Sequence, residues 1–235
     1  MTKIATLTTP LIPASSLEFL KKIHKNNNRD WFAKHKDTYL KELGHLELFA
    51  ESLLQDLNKE DLIETPSGKK SLHRIYRDVR FSKEKTPFKT NWSGSFRRAT
   101  KLRRGGYYFH IEPGNSFIAG GFWAPNAEDL KRVREELAFD AGPLRKIIQD
   151  KTFKTYFKNL HGEQLKTTPK GFDAGNEAID LLRYKQFLVI RNFSDEDVLA
   201  PGFQKEAVKT FRAMRPFFDY MSEVLTTDIN GIALV

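Results

Sequence analysis

The side chains with most scope for chemistry lie between positions 74 and 123. In RIYRDVRFSKEKTPFKTN, residues 74–91, Arg74, Arg77 and Arg80 recur at every third residue. A guanidinium is a planar fork of donors that fits phosphate or carboxylate, and Asp78 is placed to hold one of them in position. Ser82, Lys83, Lys85 and Lys89 add hydroxyl and ammonium donors around a proline turn. Together they suit an oxyanion cradle; the plainer reading is a set of structural Arg–Asp pairs on a surface loop. His110 and Glu112 stand two residues apart in an alternating stretch, so a strand puts both on one face. Such a pair can act as general base and orienter, or contribute to a metal site; otherwise it is the wet side of a half-buried sheet. Trp123 follows Gly120-Gly121 and suits a stacking platform for a base or sugar, with a core position as the alternative. Lys170, beside Gly171 in TPKGFD, is a further loop cation.

Around these candidates much chemistry is excluded. The 235 residues contain no cysteine, which removes disulfide scaffolds, thiolate metal sites and cysteine nucleophiles. The six histidines show no metal spacing, so no metal site is expected. There is no Walker loop, dinucleotide fingerprint, nucleophile elbow or HExxH, and no cofactor is implied. No apolar run approaches the ~20 residues of a membrane span, and the N-terminus lacks the apolar stretch of a signal peptide; the expected compartment is the cytoplasm. Net charge is +9. Residues 69–104 hold 13 of the 39 cations and 2 of the 30 acids, a balance of +11 against −2 for the rest of the chain. That run is interleaved with Ile75, Tyr76, Val79, Phe81, Phe88, Trp92 and Phe96, so it reads as folded rather than as a solvating tail.

The elements that must position these residues follow from periodicity. Residues 1–14 read as a loose arm and 15–228 as a single domain. Ser15 with Glu18 forms a capping-box pattern ahead of Leu17, Leu20 and Ile23. A second helix begins at Arg29, and a third covers about 37–58, where Leu43, Leu46, Ala50, Leu53 and Leu57 mark one face. Segments 72–79 and 93–100 are candidate strands. Alternation through 105–112, turn residues at 113–115 and an aromatic return to 123 predict a hairpin over about 105–123, with Gly120-Gly121 marking a bulge or a close backbone approach. Helices are predicted at 127–139, 143–150 and 176–184, a buried strand at 186–193, and a long helix at 203–226 that Pro216 kinks or divides. Residues 152–176 read as mixed. Helices, strands, helices, strand, helix argue for an α+β fold: a mainly antiparallel sheet, built on the hairpin and flanking strands, packed with N-terminal, middle and C-terminal helices.

The chain resembles the domain of unknown function 2461 family, an uncharacterised group of mostly bacterial proteins. The resemblance is carried by FLKKIHKNNNRDWFAKHKDTYLKEL, the 74–91 stretch, YYFHIEPGNSFIAGGFWAP, and LKTTPKGFD followed by LLRYKQFLVIRNFSDEDV, and spans roughly 15–225. It implies a single-domain, soluble bacterial protein with Arg74, Arg77, Asp78, Arg80, Phe81, Ser82, Lys83, Lys85, Pro87 and Lys89 as the family's signature. It implies no reaction. Glu84 stands where the pattern more often has Asp and Phe88 where it has Tyr, so no role for a hydroxyl at 88 is carried over.

Three readings compete. A binding module would use the basic segment as a site for a phosphate-bearing ligand, nucleic acid among them. An enzyme on a small anionic substrate would clamp it with Arg74, Arg77 and Arg80 and move protons with His110 and Glu112. A structural or interaction protein would spend the same arginines on internal carboxylates. The first is favoured because the cationic run lacks a recognisable nucleophile.

Overall fold

The computed structural model describes residues 12–99, 101–228 and 232–233. The chain begins with three helices, α1 (Ala14–Lys25), α2 (Arg29–Lys34) and α3 (Lys36–Leu57), and a single turn, α4 (Gly68–Ser71). Most of the expected arm, residues 1–11, lies outside the described residues, but its last part is not loose: Ile12 is buried in the core and α1 starts at Ala14. The capping-box expectation is also corrected. Pro13 occupies the N-cap, and the Ser15 and Ser16 hydroxyls donate instead to the buried Glu42 carboxylate of α3, at 3.1 and 2.7 Å. Asn28 does cap α2, accepting from the Trp31 N–H at 2.9 Å. Asn28→Ala is expected to lower stability by about 1 kcal/mol in a thermal melt.

Four strands follow: β1 (Trp92–Arg97), β2 (Gly106–Ile111), β3 (Ser116–Phe122) and, after an intervening helical section, β4 (Phe187–Phe193). They form one sheet in the order β1-β2-β3-β4, antiparallel throughout, so the fold is α+β. The hairpin register pairs Tyr108 with Ala119 and Gly106 with Gly121. Gly120 and Gly121 sit in unbroken register and are a close approach, not a bulge. A Cβ at Gly120 would lie 2.5 Å from Met214 Sδ, and one at Gly121, where φ is +133°, 2.2 Å from the Phe187 carbonyl oxygen.

Segment 72–79 is not a strand. Its β pairing is limited to isolated bridges, Leu72 to Gly94 and Tyr76 to Phe88. The physical reason is its period: cations at every third residue cannot alternate between a wet and a dry side. Thr100, the end of the other expected strand, lies outside the described residues. Beside β1 run 62–64, through Glu64 N–H to Arg97 carbonyl at 3.0 Å, and Leu72-His73; beside β4 the His161 and Leu188 backbones bond reciprocally.

The middle section holds α5 (Ala127–Phe139), α6 (Gly142–Gln149), α7 (Lys151–Phe157) and α8 (Ile179–Leu182). Sequence reading left α7 inside a mixed segment, yet Asp150 caps it through the Thr152 N–H at 2.7 Å, and Phe153 and Phe157 bury one face. The final elements are α9 (Asp195–Leu199), α10 (Phe203–Ala213) and α11 (Arg215–Thr226). Pro216 starts a new helix rather than kinking one, in the first turn where its missing N–H costs nothing.

One buried cluster runs from Ile12 to Leu225. Against one sheet face pack Phe49 of α3 on Phe109, and Phe211 and Phe218 of the last two helices on Tyr107, at ring separations of 5.6, 5.0 and 5.0 Å. Threaded through this core is a polar knot. Arg98, whose side chain is 1% exposed, donates to Asp61 at 2.7 Å, to Asp219 at 2.6 Å and to the Ser222 hydroxyl; Tyr107 Oη donates to the same Asp61 at 2.7 Å.

Candidate sheet-face site

The pleat decides which side chains reach the other face. Pairing of Ser93 with His110, Ser95 with Tyr108, and Arg97 with Gly106 puts the odd-numbered residues of β1 on the face of the even-numbered residues of β2. Continuing the register adds Phe117, Ala119 and Gly121 of β3, and Leu188 and Ile190 of β4. The half of this face on β1 and β2 is polar, and the half on β3 and β4 is largely apolar apart from Asn192.

Above this face lies a cavity of about 930 Å3. Tyr108, Phe117 and Trp123 give it aromatic walls, and Arg97 and Arg104 line it as well. Its floor includes Gly106 and Gly121, facing each other across β2 and β3 as bare backbone. Trp123 is 73% exposed, so it is not core. A second cleft, about 710 Å3 and lined by Glu64, Arg97, Arg98, Lys101, Arg103, Arg104 and Gly105, shares Arg97, Arg104 and Gly105 with the first. Its cations are largely matched: Arg97 pairs with Glu64 at 3.1 Å, Arg103 with Asp61 at 2.6 Å, and Arg104 with Asp129 beside the Asn126 cap of α5.

A hydrogen-bonded chain crosses the polar half of the face. Glu112 Oε2 lies 3.1 Å from His110 Nε2, and His110 Nδ1 lies 3.1 Å from Tyr108 Oη. Ser93 lies 3.3 Å from His73 Nδ1, and Ser95 3.1 Å from His73 Nε2. Thr90 and Asn115 both donate to Glu112, at 2.7 and 2.9 Å. Burial alone would raise the Glu112 carboxyl, but the bonds from Thr90, Asn115 and His110 outweigh it and hold the group below the ordinary carboxylate range. An ionised Glu112 fixes the donor on Nε2, leaving Nδ1 as acceptor for the Tyr108 hydroxyl. His110 also stacks on Phe117, centroids 4.6 Å apart and planes within 9°.

The residues singled out in sequence therefore divide. His110 and Glu112 meet, and Trp123 lines the cavity. Arg77 turns to Glu84 and Thr86, both at 2.8 Å. Arg80 forks onto Asp78 at 2.7 and 3.0 Å, and Lys85 donates to the Val79 carbonyl. Arg74, Ser82, Lys83 and Lys89 make no side-chain hydrogen bond or ion pair among the described residues. None of these loop residues, nor Lys170, lines the sheet cavity or the adjoining cleft. Two of them still reach it electrostatically: burial and then Arg74 push the Lys89 ammonium down, and burial and then Lys89 push down His73, which lines the cavity. Sequence reading missed His73, Ser93, Ser95, Arg97, Arg104, Tyr108 and Phe117. Strand parity around His110 was the available signal for Tyr108, Ser93 and Ser95; nothing local marked His73 or Arg104. Among the described residues no group of three or more acidic or histidine side chains is arranged to hold a metal ion, and no helix is long and apolar enough to cross a membrane.

A family model described as conserved hypothetical protein (DUF2461) matches residues 15–220. The chain belongs to the DUF2461 family. The match takes in all four strands and every cavity-lining residue, so the sheet face is part of the DUF2461 domain itself. No curated protein and no solved structure matches the chain.

Proposed function

We propose that this DUF2461 protein is a binding module that takes a phosphate-bearing ligand with a flat ring, single-stranded nucleic acid in the first place, on its open sheet face. The observation that carries the reading is one cavity of about 930 Å3 combining aromatic walls, a bare glycine floor and two arginines that continue into a second cationic cleft. Aromatic faces accept any base by stacking, and guanidinium groups take the phosphates. The 74–91 loop enters this reading at its edge: Arg74 and Lys89 extend the positive field toward His73, while Arg77, Asp78, Arg80 and Lys85 brace the loop. Ser82, Lys83 and Lys170 are candidates for outer contacts.

The test is anisotropy of labelled single- and double-stranded oligonucleotides at two salt concentrations. With three or four phosphates neutralised, single-strand affinity is expected to fall about 20- to 50-fold between 50 and 200 mM salt. Trp123→Ala is expected to weaken single-strand binding by about 1–3 kcal/mol without changing that slope. Absence of binding at low salt overturns the nucleic-acid reading. A second reading, an enzyme on a small anionic substrate, is favoured by one observation, the hydrogen-bonded His110–Glu112 pair.

A further inference from the structure

Of the groups in the hydrogen-bonded chain, Tyr108, His73 and Ser95 line the cavity, whereas His110 and Glu112 do not. His110 is 9% exposed, and both ring nitrogens are engaged. Within the Glu112–His110–Tyr108 series, the group that reaches the cavity is therefore the phenol in front of the histidine. Glu112 orients His110, His110 offers Nδ1 to Tyr108, and Phe117 fixes the imidazole plane. This is the logic of a nucleophile, a base and an orienter. Burial pushes the Tyr108 phenol above its ordinary range, with a bond from Ser93 opposing. A free phenolate is thus disfavoured, and the proton leaves only because an acceptor is in place.

We infer that Tyr108 is the catalytic residue of the sheet cavity, an activated hydroxyl nucleophile toward a phosphoryl centre of the bound ligand. In the step, the Tyr108 Oη–P bond forms, the P–O bond to the leaving group breaks, and the phenol proton passes to His110 Nδ1. The departing oxygen takes its proton from solvent water in the cavity, while His110 keeps the phenol proton, and Glu112 steadies the imidazolium. Arg97 and Arg104 line the same cavity and, turned from their Glu64 and Asp129 partners, would meet the charge that builds on the phosphoryl oxygens. The inference rests on the sheet-face reading for its ligand class, but its test uses no nucleic acid, so the two fail separately.

The probe is an aryl sulfonyl fluoride, whose tetrahedral sulfur stands in for phosphorus; tyrosine attack forms S–O and expels fluoride. Labelling is followed by peptide mass spectrometry on the full chain. Tyr108 is expected to label faster than Tyr76, a solvent-exposed internal control. Glu112→Gln, which keeps the hydrogen-bonding shape, is expected to slow Tyr108 about 100-fold while leaving Tyr76 unchanged, and Tyr108→Phe to abolish that site. Tyr108 labelling no faster than Tyr76, or a loss below about tenfold in Glu112→Gln, overturns the inference. If Glu112→Gln does not fold, the 15N spectrum of the unaltered protein decides: a neutral His110 carrying its proton on Nδ1 overturns it, and one carrying it on Nε2 supports it.

Discussion

Asp61→Ala is expected to remove about 3–5 kcal/mol of stability, measured by urea unfolding. Asp61 accepts from Arg98, Arg103 and Tyr107 within 2.7 Å, and its side chain is 1% exposed. Truncation leaves the buried Arg98 guanidinium short of one carboxylate and the Tyr107 hydroxyl without its acceptor. Asp219, half-exposed, cannot supply both. Burial alone would raise the Asp61 carboxyl, but Tyr107, Arg98 and the Leu62 N–H outweigh it and hold its pKa below the ordinary aspartate value. A depressed folded pKa contributes stability that is present in full above the unfolded value of about 3.9 and is lost as pH falls through the folded one. The native protein is therefore expected to lose stability on acidification below about pH 4, with Asp61→Ala losing less over that window. A variant within about 1 kcal/mol of the native chain would show that the knot is not a determinant of stability.

Gly121→Ala is expected to cost about 3 kcal/mol and to disturb the β3–β4 pairing. Its Cβ would stand 2.2 Å from the Phe187 carbonyl oxygen, and that neighbour is backbone held in register, unable to swing aside. The φ of +133° adds strain for any L side chain. Gly114 is the control: it also has positive φ, +73°, but nothing within 4 Å of its Cβ position, so Gly114→Ala should show the strain without the collision. Equal losses at both sites would contradict the steric account.

Much of the scaffold was legible in the sequence because its signals are local. Alternation of Tyr107, Phe109 and Ile111 with their neighbours gave β2, and the aliphatic stripe from Leu46 to Leu57 gave α3. The failures came where a distant partner decided the outcome. Ser15 and Glu18 have the spacing of a cap, but Glu42, 27 residues on, takes the Ser15 hydroxyl. The densest cationic run drew attention to Arg77 and Arg80, whose partners are the carboxylates beside them, Glu84 and Asp78. His110 and Glu112 could be paired from spacing alone. Their link to Tyr108 follows from the same strand parity, while the approach of His73 across 20 and 22 residues to Ser93 and Ser95 depends on the folded edge of the sheet.

That edge also limits how a partner can attach. An unclaimed outer strand would invite an extended peptide to zip on along the main chain. Here 62–64 and Leu72-His73 already occupy the margin of β1, and His161 holds that of β4 at Leu188. Lateral growth by another polypeptide is obstructed at those points; the proposed binding mode accordingly uses the broad side of the sheet, where selectivity would come from ring shape and charge rather than from a matching ladder of amides.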